Sequence, residues 1–276
     1  MSEVEKSNAE NVENPEVLYD IDGYIAIITL NRPERMNTIS PSMLERLSQL
    51  LITANEDSEI RVVILTATGR AFCAGLDLKE NTKGGSLGIM SSTNAVTSID
   101  LRNAMPVVLQ AIDKPTICAL NGSSAGYGMD AALGCDIRIM VDTAKMSAAF
   151  VKRGLVPESG GTWYLPRLVG WSKASEIIFT GQTLSAKQCL ELGLVSKVVS
   201  VDTLMDEARA LAREIADNAP LAVQAAKRMM RMGLNEPFAD HVYRVFLQVM
   251  PLLRTDDTRE GLASFLEKRK PVFKGR

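Results

Sequence analysis

The chain has 276 residues, 46% of them hydrophobic, and 31 basic against 33 acidic side chains for a net charge of −2. That is ample material for a packed core, in one large domain or two small ones, and far too little charge imbalance to draw nucleic acid by bulk electrostatics. The four cysteines (Cys73, Cys118, Cys135, Cys189) are widely spaced, without a C-x-x-C, and His241 is the single histidine. These spacings argue against a structural metal and for reduced, mostly buried thiols of an intracellular protein.

The opening "MSEVEKSNAENVENPE" is polar and acidic. It has neither the apolar centre of a secretory signal nor the arginines of a mitochondrial presequence, so it reads as a frayed tail on a cytoplasmic protein. No apolar run reaches membrane-spanning length. β-Branched apolar runs predict strands at "YIAIITL" (24–30), "VVILTA" (62–67), "TICAL" (116–120) and "IRIMV" (137–141). Between the first two, Ser40 as N-cap and Pro41 at N1 start a helix. Its Met43, Leu44, Leu47, Leu50, Leu51 and Ala54 recur at helical spacing.

Residues 80–96, rich in glycine, serine and asparagine, lack periodicity and read as a loop, either an active-site lid or a surface insertion. A helix is expected over about 97–112, bent at Pro106. From residue 171 the chain turns mostly helical, and 203–217 places Leu204, Ala208, Leu211, Ala212 and Ile215 on one face. Strands alternating with helices, then a run of helices, predict an α/β core with a helical C-terminal part.

Gly122-Ser123-Ser124-Ala125-Gly126 matches G-x-S-x-G, the nucleophile elbow of serine hydrolases. Such a serine needs a base. His241 lies in "NEPFADHVYRVFLQVM", at the edge of a helical face marked by Phe238, Val242, Val245 and Val249, which is where a structural histidine sits. The glycines permit something else. Gly126 and Gly128 flank Tyr127 at a helix start, where free N–H groups favour negative charge. A second such turn, "GRAFCAGLDLKE" (69–80), sets Ala74 and Gly75 ahead of Leu76 and Asp77.

With these two turns the chain resembles the crotonase, or enoyl-CoA hydratase/isomerase, family, collinearly from about residue 16 to the C-terminus. The likeness is carried by "LNRPERMNTIS" (30–40), "GRAFCAGLDL" (69–78), "ALNGSSAGYGMDAALGCDIRI" (119–139), "GLVPESGGTWYLPRLVG" (154–170), "FTGQTLSAKQCLELGLVSKVV" (179–199) and "FLEKRKPVF" (265–273). The resemblance implies a spiral of ββα units over residues 16–200, after a tail of 1–15, with a helical trimerisation region over 201–276. It also implies a homotrimer, or trimers paired into a hexamer.

The implied substrate is a CoA thioester, with no other cofactor and no metal. Its carbonyl oxygen would lie between the backbone N–H groups of Leu76 and Tyr127. Moving a proton beside a thioester carbonyl builds charge on that oxygen, and fixed donors aimed there contribute about 3 kcal/mol each. Ser124 then merely fills the turn. By motif position the CoA would meet the Ala74 and Leu76 backbone, Lys79 and Arg35, although Glu34 holds the family's basic position.

Of the hydratases' two glutamates, the first corresponds to Asp130 and the second to Phe150, which carries no proton. An acid appears instead at Glu158, where family members that shift double bonds carry one. The resemblance therefore implies an isomerase in which Glu158 ferries the proton, assisted or polarised by Asp130. Burial among Phe150, Trp163 and Leu155 would raise the Glu158 pKa. Phe150 and Trp163 are the candidates for the acyl pocket. Two alternatives stay open: a hydratase pairing Asp130 with Glu158, and a CoA-binding protein without turnover.

Overall fold

The computed structural model describes residues 15–78 and 101–276. Its largest sheet has six strands in the order β1 (Val17–Asp22), β2 (Ile25–Leu30), β3 (Val62–Ala67), β5 (Thr116–Leu120), β7 (Ile137–Val141) and β10 (Lys197–Val199). All neighbours are parallel except β1 and β2, which form a hairpin with Val17 opposite Leu30. The apolar runs of β2, β3, β5 and β7 are buried almost without interruption, as strands covered on both faces require.

A second sheet runs β4 (Ala71–Cys73), β6 (Ser123–Ala125), β8 (Lys145–Ser147), β9 (Thr183–Ser185). Each pass of the chain lays one strand in the first sheet and one in the second: β3 then β4, β5 then β6, β7 then β8. That stepwise advance is the spiral. It stacks β4 beside β6 in parallel, with Cys73 opposite Ser124, so the segments leaving these two strands emerge side by side.

The helices are α1 (Pro41–Glu56), α2 (Met105–Ala111), α3 (Tyr127–Gly134), α4 (Gly161–Val169), α5 (Trp171–Thr180), α6 (Ala186–Glu191), α7 (Leu204–Ala216), α8 (Pro220–Gly233), α9 (Phe238–Leu252) and α10 (Asp256–Glu267). Helix α1 starts as its sequence predicts, with the Ser40 hydroxyl accepting from the Met43 N–H at 3.1 Å and Pro41 in the first turn. Helix α7 buries Leu204, Ala208, Ala212 and Ala216 against β3, β5 and β7.

Helix α2 corrects one expectation. It begins at Met105 with Pro106 in its first turn and is not bent there, because a proline's missing N–H is harmless only at a helix start. Residues 79–100, which include Lys79 and the 80–96 loop, lie outside the described residues. The apolar residues of α8 and α9 divide sharply. Met229 is buried, whereas Met230, Phe238, Phe246 and Met250 are exposed, Phe238 at 82%. They therefore do not close an internal core. No helix among the described residues is long and apolar enough to cross a membrane.

Candidate active site

The first turn is built by the segment that precedes α1. Ile39 bridges Leu76 in parallel: the Ile39 N–H donates to the Gly75 carbonyl at 2.8 Å, and the Asp77 N–H donates to the Ile39 carbonyl at 2.9 Å. In such a bridge the N–H of the middle residue points the other way, so the Leu76 N–H is aimed out of the pairing. Side chains lock the geometry. Arg32, buried, donates to Asp77 at 3.3 Å and to the Thr38 carbonyl at 3.1 Å, and its Nε lies 3.0 Å from Glu16. Asn37 is fully buried; its amide donates to the Thr68 and Ala71 carbonyls while its oxygen accepts from the Arg32 N–H.

The second turn depends on what glycine lacks. Gly126 adopts φ 52°, ψ −126°, a conformation open to glycine and strained for other residues, and its N–H donates to the Ser147 carbonyl at 3.0 Å. Tyr127 then opens α3, and its N–H belongs to the first turn, which has no partner inside the helix. A Cβ on Gly128 would lie 2.4 Å from the Cys73 carbonyl oxygen, so α3 begins pressed directly onto β4. A Cβ on Gly75 would lie 3.2 Å from the Ala125 carbonyl oxygen and 3.9 Å from the Tyr127 nitrogen. The two turns therefore abut, and neither the Leu76 nor the Tyr127 N–H has an acceptor among the described residues.

The acids approach from α3 and from the turn before α4. Asp130 faces inward one turn after Tyr127 and is 2% exposed. One of its oxygens accepts the Ser159 hydroxyl at 2.8 Å and the Gly161 N–H at 3.0 Å. Burial pushes its pKa to about 7, the two hydrogen bonds oppose that rise, and the charge of Glu158 adds to it. Glu158 sits on the exposed outer side of its turn, and the protein behind it raises its pKa by desolvation, against the pull of its own backbone N–H. The Tyr127 phenol is raised by burial first and then by Glu158, Cys73 and Asp130, which brings both acids into the electrostatic neighbourhood of the second turn.

Of the remaining candidates, Ala74 is half-buried and donates its N–H to the Met36 carbonyl, while Arg35 is exposed on a short 3₁₀ turn. Phe150 is buried, its ring 3.9 Å from where a Gly126 Cβ would stand, directly behind the second turn. Trp163 is elsewhere. It stacks edge-on to Tyr164 beneath the Arg167 guanidinium and lines a cavity of about 610 Å³ with Leu168, Ile215, Met230 and Leu234. Phe150 and Trp163 thus border different spaces.

Ser124 is buried and its hydroxyl has no hydrogen-bond partner among the described residues, while His241 binds Glu236 at 2.7 Å and packs over Gly233. No hydrogen bond joins them, as a structural histidine implies. All four cysteines are free and buried. The reading from sequence missed Arg32, Asn37, Asp77 and Ser159. All four stand inside the quoted motifs, yet the Arg32–Asp77 ion pair spans 45 residues and nothing in local spacing foretells it.

The Enoyl-CoA hydratase/isomerase family model matches residues 20–276. The chain belongs to that family of enzymes. Within it, the chain is 38% identical over 259 residues to an enoyl-CoA isomerase/hydratase of Mycosarcoma maydis, covering 90% of this chain and 92% of that one. It is 35% identical over 267 residues to 1,2-epoxyphenylacetyl-CoA isomerase of Escherichia coli, covering 94% and 98%. The crystal structure of an enoyl-CoA hydratase from Bacillus anthracis superposes with a TM-score of 0.85 at 34% identity, over 95% of this chain and 100% of that one. The crotonase spiral and its C-terminal helices are therefore shared with solved hydratases, and relatives named for both reactions lie at similar distance.

Proposed function

We propose that the protein shifts a double bond in an unsaturated acyl-CoA, with Glu158 carrying the proton and the Leu76 and Tyr127 N–H groups holding the thioester oxygen. One observation carries the reading. Of the two acids beside the second turn, Glu158 is the exposed one, takes no side-chain hydrogen bond among the described residues, and has a raised pKa. A carboxylate with those properties can take a proton from one carbon and return it to another. The position of the hydratases' second glutamate is filled by Phe150, which cannot hold a water for addition.

Ala74, Leu76, Arg35 and Lys79 are the proposed CoA contacts, with Phe150 bordering the acyl part and Trp163 set apart from it. The exposed apolar faces of α8 and α9 support assembly into trimers or hexamers. The charge of Glu158 reaches Asp130, after burial and hydrogen bonding have set most of its shift, and this proximity favours one second reading, a hydratase using the two acids as a pair.

Incubation of the enzyme with 2-enoyl-, 3-enoyl- and dienoyl-CoAs in heavy water separates these readings. Deuterium incorporation without gain of oxygen is the expected result. Net water addition would establish the hydratase, and CoA binding without turnover of any thioester would mark a binding protein. Glu158→Gln is expected to lower turnover by about 10²–10⁴-fold while retaining CoA binding. Unchanged turnover would remove Glu158 from the chemistry.

A further inference from the structure

Asp130 occupies a place where it does little for a substrate directly. Its carboxylate is sealed, and the oxygen that accepts from Ser159 also accepts from Gly161. The other oxygen would lie 2.3 Å from a Cβ on Gly161, so it fills the space that a side chain there would need. The narrow void beside Asp130, bounded by Met105, Leu109, Tyr127 and Tyr164, leaves no volume for a water molecule.

These contacts meet a need of α4. Its N-cap is Gly160, at φ 115° and without a side chain, so the helix has no capping group of its own. A first-turn N–H without a partner is costly when buried, and negative charge is favoured at a helix N-terminus. Asp130 supplies the missing acceptor from 31 residues away, and the Ser159 hydroxyl adds a second tie one residue after Glu158.

We propose that Asp130 is a positioning residue: its carboxylate, latched to the Ser159 hydroxyl and the Gly161 N–H, holds the Glu158 turn in register with the second oxyanion turn. Ser159 is the side-chain half of the latch, and Gly161 is glycine because the carboxylate occupies the space of its Cβ. This assignment rests on Glu158 as the proton carrier and gives a physical form to the assistance expected from Asp130.

Asp130→Asn separates positioning from proton transfer. An amide oxygen accepts both hydrogen bonds but carries no proton at neutral pH. With the full-length enzyme and the acyl-CoA it turns over best, Asp130→Asn is expected to keep kcat within about tenfold of the unaltered protein. Asp130→Ala and Ser159→Ala are each expected to lower kcat by about 10²-fold with little change in KM, the scale of a misplaced catalytic group. The double variant is expected to be no worse than Asp130→Ala, because both remove one latch.

An Asp130→Asn loss as deep as that of Glu158→Gln would overturn the proposal by making Asp130 a proton carrier. An unchanged kcat in Ser159→Ala would overturn it by showing that the latch does not aim Glu158. If Asp130→Ala does not fold, the Asn and Ser159 variants still decide. Failure of the underlying reading is separately visible, since there Glu158→Gln itself stays active.

Discussion

The two turns that bring Leu76 and Tyr127 together reach the same end by opposite means. The first is held from outside: the bridge to Ile39 aims its amide, and the buried Arg32–Asp77 pair fastens the strand ends. The second is held from within, by a backbone conformation at Gly126 and a contact at Gly128 that exist because side chains are missing. A turn of the first kind fails when a charge loses its partner, and one of the second kind fails when an atom is added. This predicts different signatures for damage to each.

The largest stability effect is expected at the first turn. Asp77→Ala leaves Arg32 buried without its inner partner and should lower unfolding free energy by about 3–5 kcal/mol in chemical denaturation. Gly128→Ala forces backbone apart at the Cys73 carbonyl. It should cost about 3 kcal/mol and, by turning the Tyr127 amide, lower kcat by about 10²-fold in steady-state assays. Gly126→Ala meets only ordinary contact with Phe150, so its expected cost, about 2 kcal/mol by thermal melting, is conformational alone. Equal losses at Gly126 and Gly128 would erase the distinction between strain and crowding.

The last expected effect is one of pH. The Asp130 pKa rises from 3.8 to about 7 on folding, so between those values the unfolded chain has released a proton that the folded chain keeps. Stability should therefore decline as pH rises from about 4 to 7 and level off above. Asp130→Asn should flatten that part of the curve, measured by denaturation across pH. A slope unchanged by the substitution would return the carboxyl to an ordinary pKa.

Elements that announce themselves locally were legible in the sequence. The Ser40–Pro41 start of α1, the four long apolar strands and the face of α7 follow from short-range pattern, and the structure reproduces them within a residue or two. The four strands of the second sheet did not show, because three residues are too few to display alternation. The hairpin strand β1 was missed for another reason: "VLYDID" mixes polar and apolar residues with both acids on a sheet edge. At the site, both turns were readable because glycines and helix starts have local signatures. The Arg32–Asp77 pair and the Asp130–Ser159 latch were not, since each joins segments that only the spiral brings together.

Gly75 and Gly126 place two amides whose chemistry is independent of the side chains on Leu76 and Tyr127. Substitutions at those two positions leave the donors themselves in place, so their side chains are at liberty to reshape the surroundings of a bound molecule. Under the proposed function, a scaffold of that kind separates what is transformed from how the charge is borne. Novelty in the former need not disturb the latter.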